Sequence, residues 1–479
     1  MRISIKYALN NFSGLSNVAK ASMIFIFVNI LQKGLAFLTS PIYTRLLTTD
    51  EFGQVSIWFA WHSMIGVLAM FCLSSGVFNN GMLDYPGERD QYSYSMLIFS
   101  NVITVIVAII MAVIIIVFGN VFKMDILLLI LMFAVFLTQP AYNFWMARQR
   151  YEYKYKKVAV ITIASAVISP VVAIICIYLF NDNKVYSRLL GGEIILIAIY
   201  TLFYIYLALK AKLKVYTRYW KIAFLFNLPL IPHYFSSYIL NHSDRLMIAY
   251  LVGDTYAAFY SLAYSISAVL STIWLAINSA LIPFTYEKCR ENDYKSINDV
   301  TLPMLLVFAA ISFVVILIAP ELILILATKA YAESVKVVPP IVGGVFIAAL
   351  YYIFANIVYY YRKPKYVMVA SIVSAIVNII LNYIYIPIYG YVAAGYTTIF
   401  CYALQALLDY FVMKKVVGQS VYNIKLLCAI LFPVVLFSLI SAYLYDFLIA
   451  RYAILLVAVV IIIIFRKKIL SYFKLLKNI

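Results

Sequence analysis

The feature that most limits the fold is a series of long apolar stretches running through the whole chain. Each of them approaches the roughly 20 apolar residues that a helix needs to cross a bilayer. No gap between them could house a water-soluble domain, so the sequence predicts an all-α polytopic membrane protein with about fourteen transmembrane helices. The predicted helices lie near residues 19–43, 53–74, 93–118, 126–147, 158–180, 189–209, 222–243, 255–283, 301–327, 337–361, 366–387, 391–413, 425–444 and 452–468.

Composition excludes an ordinary water-soluble protein. Hydrophobic residues make up 66% of the chain and charged residues 12%, which no ordinary soluble domain shows. The net charge of +18 would otherwise indicate nucleic acid, but basic loops also orient membrane proteins, so no nucleic-acid partner is expected. The five scattered cysteines have no metal-binding spacing and are expected to be packing residues.

Basic residues predict the orientation. If the N-terminus is cytoplasmic, 28 lysines and arginines fall in inside segments and 8 in outside segments, with Lys33 alone inside a helix. Cytoplasmic loops carry the excess of Lys and Arg in membrane proteins. The sequence therefore predicts an even number of spans with both termini in the cytoplasm.

An internal repeat indicates two parallel halves. The spacing from Arg45 to Gly53 recurs from Arg245 to Gly253, and two further motif pairs keep similar offsets, 209 and 203 residues against 200. Transporters built from parallel repeats bind substrate between the halves. The predicted division is an N-terminal lobe at 1–215, a C-terminal lobe at 216–415 and two additional helices with a basic tail at 416–479.

The first predicted helix carries a lysine at membrane depth. A lysine at the centre of a membrane helix costs about 2.5–3.5 kcal/mol on insertion scales, so it normally faces a polar cavity or a partner. Asn29 shares the face of Lys33 and Gln32 flanks it, while Gly34 and Pro41 could let the helix bend. We expect a polar cavity here; the alternative is Lys33 buried for structural reasons.

The seventh predicted helix offers a second polar face. His233, Asn241 and Asp244 lie on it, and two prolines, Pro229 and Pro232, are expected to break the helix. His62 lies in the second predicted helix. Both His62 and His233 are candidates for binding or proton transfer, and the alternative is a hydrogen-bonded interior role.

Membrane-depth charge is mainly positive, which suits an anionic ligand such as a phosphate. Arg45 and Arg245 lie near the outer ends of their helices, where they could instead contact headgroups or a local carboxylate. Arg89 lies in a cytoplasmic loop, where it could catch substrate. The candidate substrate-binding residues are Asn29, Gln32, Lys33, Arg45, His62, Arg89, His233, Asn241 and Arg245. The candidate coupling residues are Asp244 and Glu321.

Motifs for catalysis are absent from the sequence. It has no nucleotide-binding loop, no HExxH and no plausible Ser-His-Asp set, so no catalytic residue, metal or cofactor is expected. A transporter without an ATPase of its own must draw on an ion gradient, from protons or sodium, or on consumption of its substrate on the far side.

Three stretches resemble a known family. They are KGLAFLTSPIYTRLLTTDEFGQVSIW, NHSDRLMIAYLVGDTYAAFYSLAYSIS and NYIYIPIYGYVAAGYTTIFCYALQALL. They resemble the Wzx-type polysaccharide or O-antigen flippases of the multidrug/oligosaccharidyl-lipid/polysaccharide (MOP) exporter superfamily.

The resemblance implies two six-helix lobes in a V with two extra C-terminal helices. It also implies movement of an undecaprenyl-diphosphate-linked oligosaccharide across the bacterial inner membrane for lipopolysaccharide O-antigen or other polysaccharide biosynthesis. A polysaccharide polymerase would be a functional partner.

Two other classes remain open. A polysaccharide polymerase or ligase, which is an enzyme, normally needs a large external loop, and the outside loops here are short. A cation-coupled multidrug exporter would use membrane carboxylates, and the first predicted helix has none.

Overall fold

A computed structural model describes residues 17–152 and 154–457, and within the first helix the side chains of Asn29 and Lys33 lie outside the description. The described residues are helical apart from turns and short connections. The α-helices are α1 Asn17–Leu46, α2 Thr49–Ala69, α3 Val77–Asp84, α4 Arg89–Phe118, α5 Ile126–Tyr151, α6 Tyr155–Leu179, α7 Lys184–Lys210, α8 Arg218–Asn227, α9 Ile231–Leu251, α10 Asp254–Glu291, α11 Tyr294–Leu317, α12 Ala319–Leu326, α13 Val338–Tyr360, α14 Pro364–Tyr389, α15 Val392–Val417 and α16 Ile424–Ile440.

The all-α membrane fold predicted from the sequence is confirmed. Within the described ranges, nine helices are long and apolar enough to cross a membrane, and a shorter apolar helix covers Leu448–Val457. Apolar side chains on α4 point outward, and Ile116 is 82% exposed, as a helix facing lipid requires. The number of fourteen spans stays a prediction.

Two local features differ from the expected helices. The ninth predicted span is interrupted at Ile318, so that α11 and α12 replace one helix. A short helix, α3, follows a 3-10 turn at Leu73–Ser75, where the sequence indicated only a loop. The predicted break in the seventh span is confirmed, because the 3-10 turn Leu228–Leu230 separates α8 from α9.

The described chain forms two compact units. The first contains residues up to Thr39 and Trp61–Phe235, and the second contains Ser40–Ala60 and the residues from Ser236 onward. The predicted lobe boundaries at residues 215 and 415 stay a prediction.

The first unit has an aromatic core around α3, α4, α5 and α8. The ring of Phe78 stacks on Phe144 with 4.4 Å between centroids. Trp220 of α8 donates from Nε1 to the backbone oxygen of Ser95, 2.9 Å away. These contacts fix α8 against α4 and bury the apolar face of this short helix.

The second unit is built around α13, whose described side chains are buried along most of its length. Small residues let neighbouring helices approach it closely, as is common where membrane helices pack. A methyl group added at Gly395 of α15 would lie 2.8 Å from the Pro340 ring. One added at Gly343 would overlap the Ser438 hydroxyl of α16.

Gly53 marks the tightest backbone approach in the second unit. A methyl group added there would overlap the backbone carbonyl of Asp254, at the start of α10. Gly253, its counterpart in the sequence repeat, is needed for a different reason, because its φ of 117° is a conformation that L side chains rarely adopt. The two repeated motifs therefore meet each other.

Candidate functional site

The predicted polar face of α1 is only partly described. The helix is present, contains Pro41 and ends at Leu46. Gln32 is exposed, whereas the side chains of Asn29 and Lys33 lie outside the described residues. Their roles remain predictions from the sequence.

Arg45, near the C-terminal end of α1, donates hydrogen bonds to backbone oxygens. Its Nη1 donates to the backbone oxygen of Pro41 at 2.7 Å, and its Nη2 donates to that of Ile325 at 3.2 Å. Thr44 donates to the backbone oxygen of Leu326 at 2.7 Å. The carbonyls of Ile325 and Leu326 lie at the end of α12, where they lack partners within the helix, and Arg45 and Thr44 satisfy them.

Arg245 and Asn241 lie together on α9 with two tyrosines. The Arg245 guanidinium lies 4.3 Å above the ring centroid of Tyr264, a cation–π contact. The Tyr264 hydroxyl donates to Asn241 Oδ1 at 2.8 Å, and the Tyr402 hydroxyl does so at 3.4 Å. The structure thus brings together two predicted residues and adds two tyrosines from α10 and α15.

One donor of Arg245 has no hydrogen-bond partner within the described chain. Its Nη1 lies 3.0 Å from His242 Nδ1, while its Nε is buried and has no hydrogen-bond partner within the described chain. A guanidinium offers five N–H donors in a planar fork that matches a phosphate. Held against a tyrosine face, this arginine can bind an anion with little further ordering.

Asp244 lies one residue away and faces a different environment. Its side chain is 1% exposed. Asn382 Nδ2 donates to Oδ1 at 2.6 Å, and the hydroxyls of Tyr260 and Thr398 donate to Oδ2 at 2.5 and 2.9 Å. Behind Asn382, Asn378 Oδ1 accepts from Asn382 at 3.3 Å.

The Asp244 cluster has the chemistry of a site for a proton or a small hard cation. An ionisable residue within a membrane helix is a functional candidate by default. Three donors stabilise the carboxylate, and each belongs to a group that also carries an oxygen able to turn toward a cation. The sequence identified Asp244, but its partners lie on α10, α14 and α15.

The other candidates have structural contacts. The His62 ring packs on Phe136 with centroids 4.8 Å apart, and His233 lies half-buried beside Tyr234. Glu321 accepts from Arg451, with nitrogen–oxygen distances of 2.9 and 2.5 Å.

Arg89 belongs to a group of contacts where α3, α4 and α8 meet. Its Nε donates to the backbone oxygen of Met82 at 3.0 Å. The preceding residue, Glu88, accepts from the Tyr219 hydroxyl and the Arg218 guanidinium, and these two bonds lower the pKa of its carboxyl. The arrangement holds the end of α3 against the start of α4 and α8.

Two acidic residues were missed by the sequence reasoning. Glu193 of α7 is 5% exposed and Asp409 of α15 is fully buried. The signal was present, because each is a single acid within a long apolar helix.

Comparisons with known proteins decide the family. The family model described as "Polysaccharide biosynthesis protein" matches residues 18–287, more than half of the 479 residues. The chain belongs to this family. A second model, described as MatE, matches residues 229–384.

One relative is similar to part of this chain. Lsg locus protein 1 of Haemophilus influenzae is 27% identical over 169 residues, which cover 32% of this chain and 39% of that protein. The match therefore spans well under two thirds of that relative.

Solved structures share the fold. One is titled "Lipid II flippase MurJ, inward closed conformation", with a TM-score of 0.68, 15% identity, and coverage of 93% of this chain and 100% of that chain. Another is an inward-facing multidrug resistance MATE transporter of the MOP superfamily, with a TM-score of 0.59, 11% identity, and coverage of 81% and 94%. These two likenesses show a shared fold, and the family match agrees with the resemblance to polysaccharide flippases noted in the sequence. The chain is a multi-pass membrane protein of the polysaccharide biosynthesis family.

Proposed function

We propose that this protein moves an undecaprenyl-diphosphate-linked oligosaccharide repeat unit from the cytoplasmic to the outer leaflet of the bacterial inner membrane. The unit would serve O-antigen, capsule or exopolysaccharide synthesis. The observation that carries the proposal is Arg245, stacked on Tyr264 with its buried Nε unpartnered within the described chain. Family membership supports transport of a lipid-linked substrate in general.

The second unit supplies groups suited to both parts of such a substrate. Arg245 would bind the diphosphate through charged hydrogen bonds, which are about twice as strong as neutral ones. Asn241 and the hydroxyls of Tyr264 and Tyr402 would face sugar hydroxyls. In this proposal the protein is a transporter and not an enzyme, both termini are cytoplasmic, and a polysaccharide polymerase uses the product.

Lys33→Ala is expected to abolish export while the protein remains in the membrane, and Lys33→Arg should retain part of it. The reason is that a lysine at membrane depth suits an anionic substrate group. Surface polysaccharide, measured beside the amount of protein in the membrane, tests this. Normal export by Lys33→Ala would show that Lys33 does not bind the substrate.

Asp244 is proposed as the coupling residue, for a proton or sodium. Asp244→Asn keeps the shape and removes the charge, so gradient-driven export should fall about tenfold or more. Ser312→Ala is the control, since buried Ser312 of α11 donates to the backbone oxygen of Phe308, one turn back in its own helix, at 2.9 Å. Export assays in cells with and without a protonophore or sodium give the readout, and equal losses in both variants would contradict coupling at Asp244.

The proposed function is tested in cells lacking the protein, by measuring which leaflet holds the lipid-linked glycan and how much surface polymer is made. Single repeat units trapped on the cytoplasmic leaflet, with surface polymer lost, are expected. Unpolymerised units on the outer leaflet would instead assign the polymerase step to this protein.

A cation-coupled multidrug exporter is the second candidate. It is favoured by the MatE match over residues 229–384 and by the buried acids Glu193 and Asp409. Drug hypersensitivity with normal surface polysaccharide in the deletion strain would select this alternative.

A further inference from the structure

The connection between α7 and α8 carries a basic segment, made of Lys210, Lys212, Lys214 and Lys221. All four lysines are exposed, and none of them belongs to an ion pair within the part of the chain that the structure describes. Residues 194–243 include no aspartate or glutamate, so sequence neighbours supply no counter-charge. The one arginine of this stretch, Arg218, is already paired with Glu88.

Apolar side chains beside the basic segment are exposed as well. Lys221 and Leu225 share the face of α8 that lies opposite buried Ala223. Cations next to exposed apolar side chains are typical of an element at the boundary between lipid headgroups and acyl chains. Four apolar side chains near the lysines are at least half exposed: Leu209, Leu213, Ile222 and Leu225.

The turn that carries Lys212 has an unusual backbone. Lys212 and Leu213 have φ angles of 54° and 57°, in the left-handed region where glycine is the usual residue. Hydrogen bonds of 3.0 and 3.1 Å, from the backbone N–H groups of Leu213 and Lys214 to carbonyls at the end of α7, hold this turn. Strained residues of this kind cluster at functional sites. Here they present a cation and an apolar side chain together at the surface.

Contacts with α4 and with the residue after α2 fix the segment in place. The backbone N–H of Tyr216 donates to Ser95 Oγ at 2.9 Å, and the Trp220 ring stacks on Phe99 with 5.5 Å between centroids. At the other end of α8, Asn227 Nδ2 donates to the backbone oxygen of Phe71 at 2.8 Å. The backbone that carries the lysines is therefore ordered before any ligand binds, which lowers the cost of binding.

We propose that the basic segment is a binding site for anionic phospholipid headgroups, such as phosphatidylglycerol. In the predicted orientation it lies on the cytoplasmic side, where the lysine ammonium groups donate to the lipid phosphate and the acyl chains pack on Leu213 and Leu225. Each lysine near an anionic membrane surface strengthens binding about fivefold. A solvated loop that only orients the protein would need neither the exposed apolar side chains nor the strained turn. The site does not depend on which substrate the protein moves.

Titration of the purified full-length protein with a short-chain lipid tests the proposal. Dioctanoyl-phosphatidylglycerol is added to protein in a non-ionic detergent, the melting temperature is followed, and dioctanoyl-phosphatidylcholine is the zwitterionic reference. The wild type should be stabilised at lower concentrations of the anionic lipid, and less so as salt screens the charges. A variant that combines Lys212→Gln, Lys214→Gln and Lys221→Gln should need at least about tenfold more of the anionic lipid.

Two control variants separate a local site from net charge and from packing. The first loses the same three charges at exposed lysines dispersed over the starts of α6, α11 and α14, and it should keep the wild-type titration. It combines Lys156→Gln, Lys295→Gln and Lys365→Gln. The second combines Lys212→Arg, Lys214→Arg and Lys221→Arg, and it should also keep binding because it keeps the charge.

Four outcomes would overturn the inference. Equal losses in the two glutamine variants would reduce the effect to net charge, and equal stabilisation by the two lipids would show that no anionic site exists. Equal stabilisation by inorganic diphosphate would assign the lysines to a free anion instead of a lipid. A loss in the arginine variant as large as that in the clustered glutamine variant would show a packing effect. The leaflet assay of lipid-linked glycan is independent of this titration, so the proposed function is tested separately.

Discussion

Arg245→Ala is expected to reduce export of lipid-linked glycan about 100-fold, because a charged hydrogen-bonding group worth roughly 1.5–3 kcal/mol per bond is removed from the substrate. The stack on Tyr264 holds the guanidinium in place before substrate binds, so little is lost to ordering. Lipid-linked glycan on the cytoplasmic leaflet should rise as surface polymer falls. Both are measured in cells where the variant replaces the wild type.

Two further variants separate charge from geometry. Arg245→Lys keeps the positive charge but loses the planar fork and Nε, so an intermediate loss of about tenfold is expected. Tyr264→Phe keeps the ring under the guanidinium and loses the bond to Asn241, so it should have a smaller effect. Wild-type export by Arg245→Ala would exclude this arginine from substrate binding.

Gly53→Ala should have the largest effect on folding. The added methyl group would overlap the backbone carbonyl of Asp254, and backbone cannot move aside as a flexible side chain can. Overpacking of a fitted core costs about 1–3 kcal/mol, and a backbone clash belongs at or above the upper end. Protein level in the membrane and thermal stability in detergent are the measurements.

Gly34→Ala provides the matched control for Gly53→Ala. No described atom outside the helix backbone lies within 4 Å of a methyl group added at Gly34, so this change should be neutral or stabilising by about 0.5–1 kcal/mol through helix propensity. If both alanine variants behave alike, the close approach at Gly53 does not limit stability.

The helices were predictable because long apolar runs identify membrane spans with little dependence on context. The prolines at 229 and 232 likewise predicted a break that the structure contains. The helix α3 was not predictable in this way, since it has only eight residues and lies beside a polar loop. Its position depends on aromatic contacts with α4 and α5.

The candidate site was predictable only in part. A polar face on one helix identified His233, Asn241 and Asp244, since residues three and four apart share a face, and the internal repeat identified Arg245. Their partners, such as Tyr264 and Asn382, come from helices distant in sequence, and periodicity within one helix carries no information about them. The repeat also revealed the matched glycines, but not that Gly53 meets Asp254.

Membership of Ser40–Ala60 in the second unit has a consequence for biogenesis. This segment leaves the ribosome early, yet Thr44 and Arg45 bond to backbone oxygens near residue 326. At about 5–20 residues per second, those partners appear roughly 15–55 s later. During that interval the C-terminal end of α1 lacks these two contacts. A second half expressed on its own would lack Ser40–Ala60, which belongs to its unit.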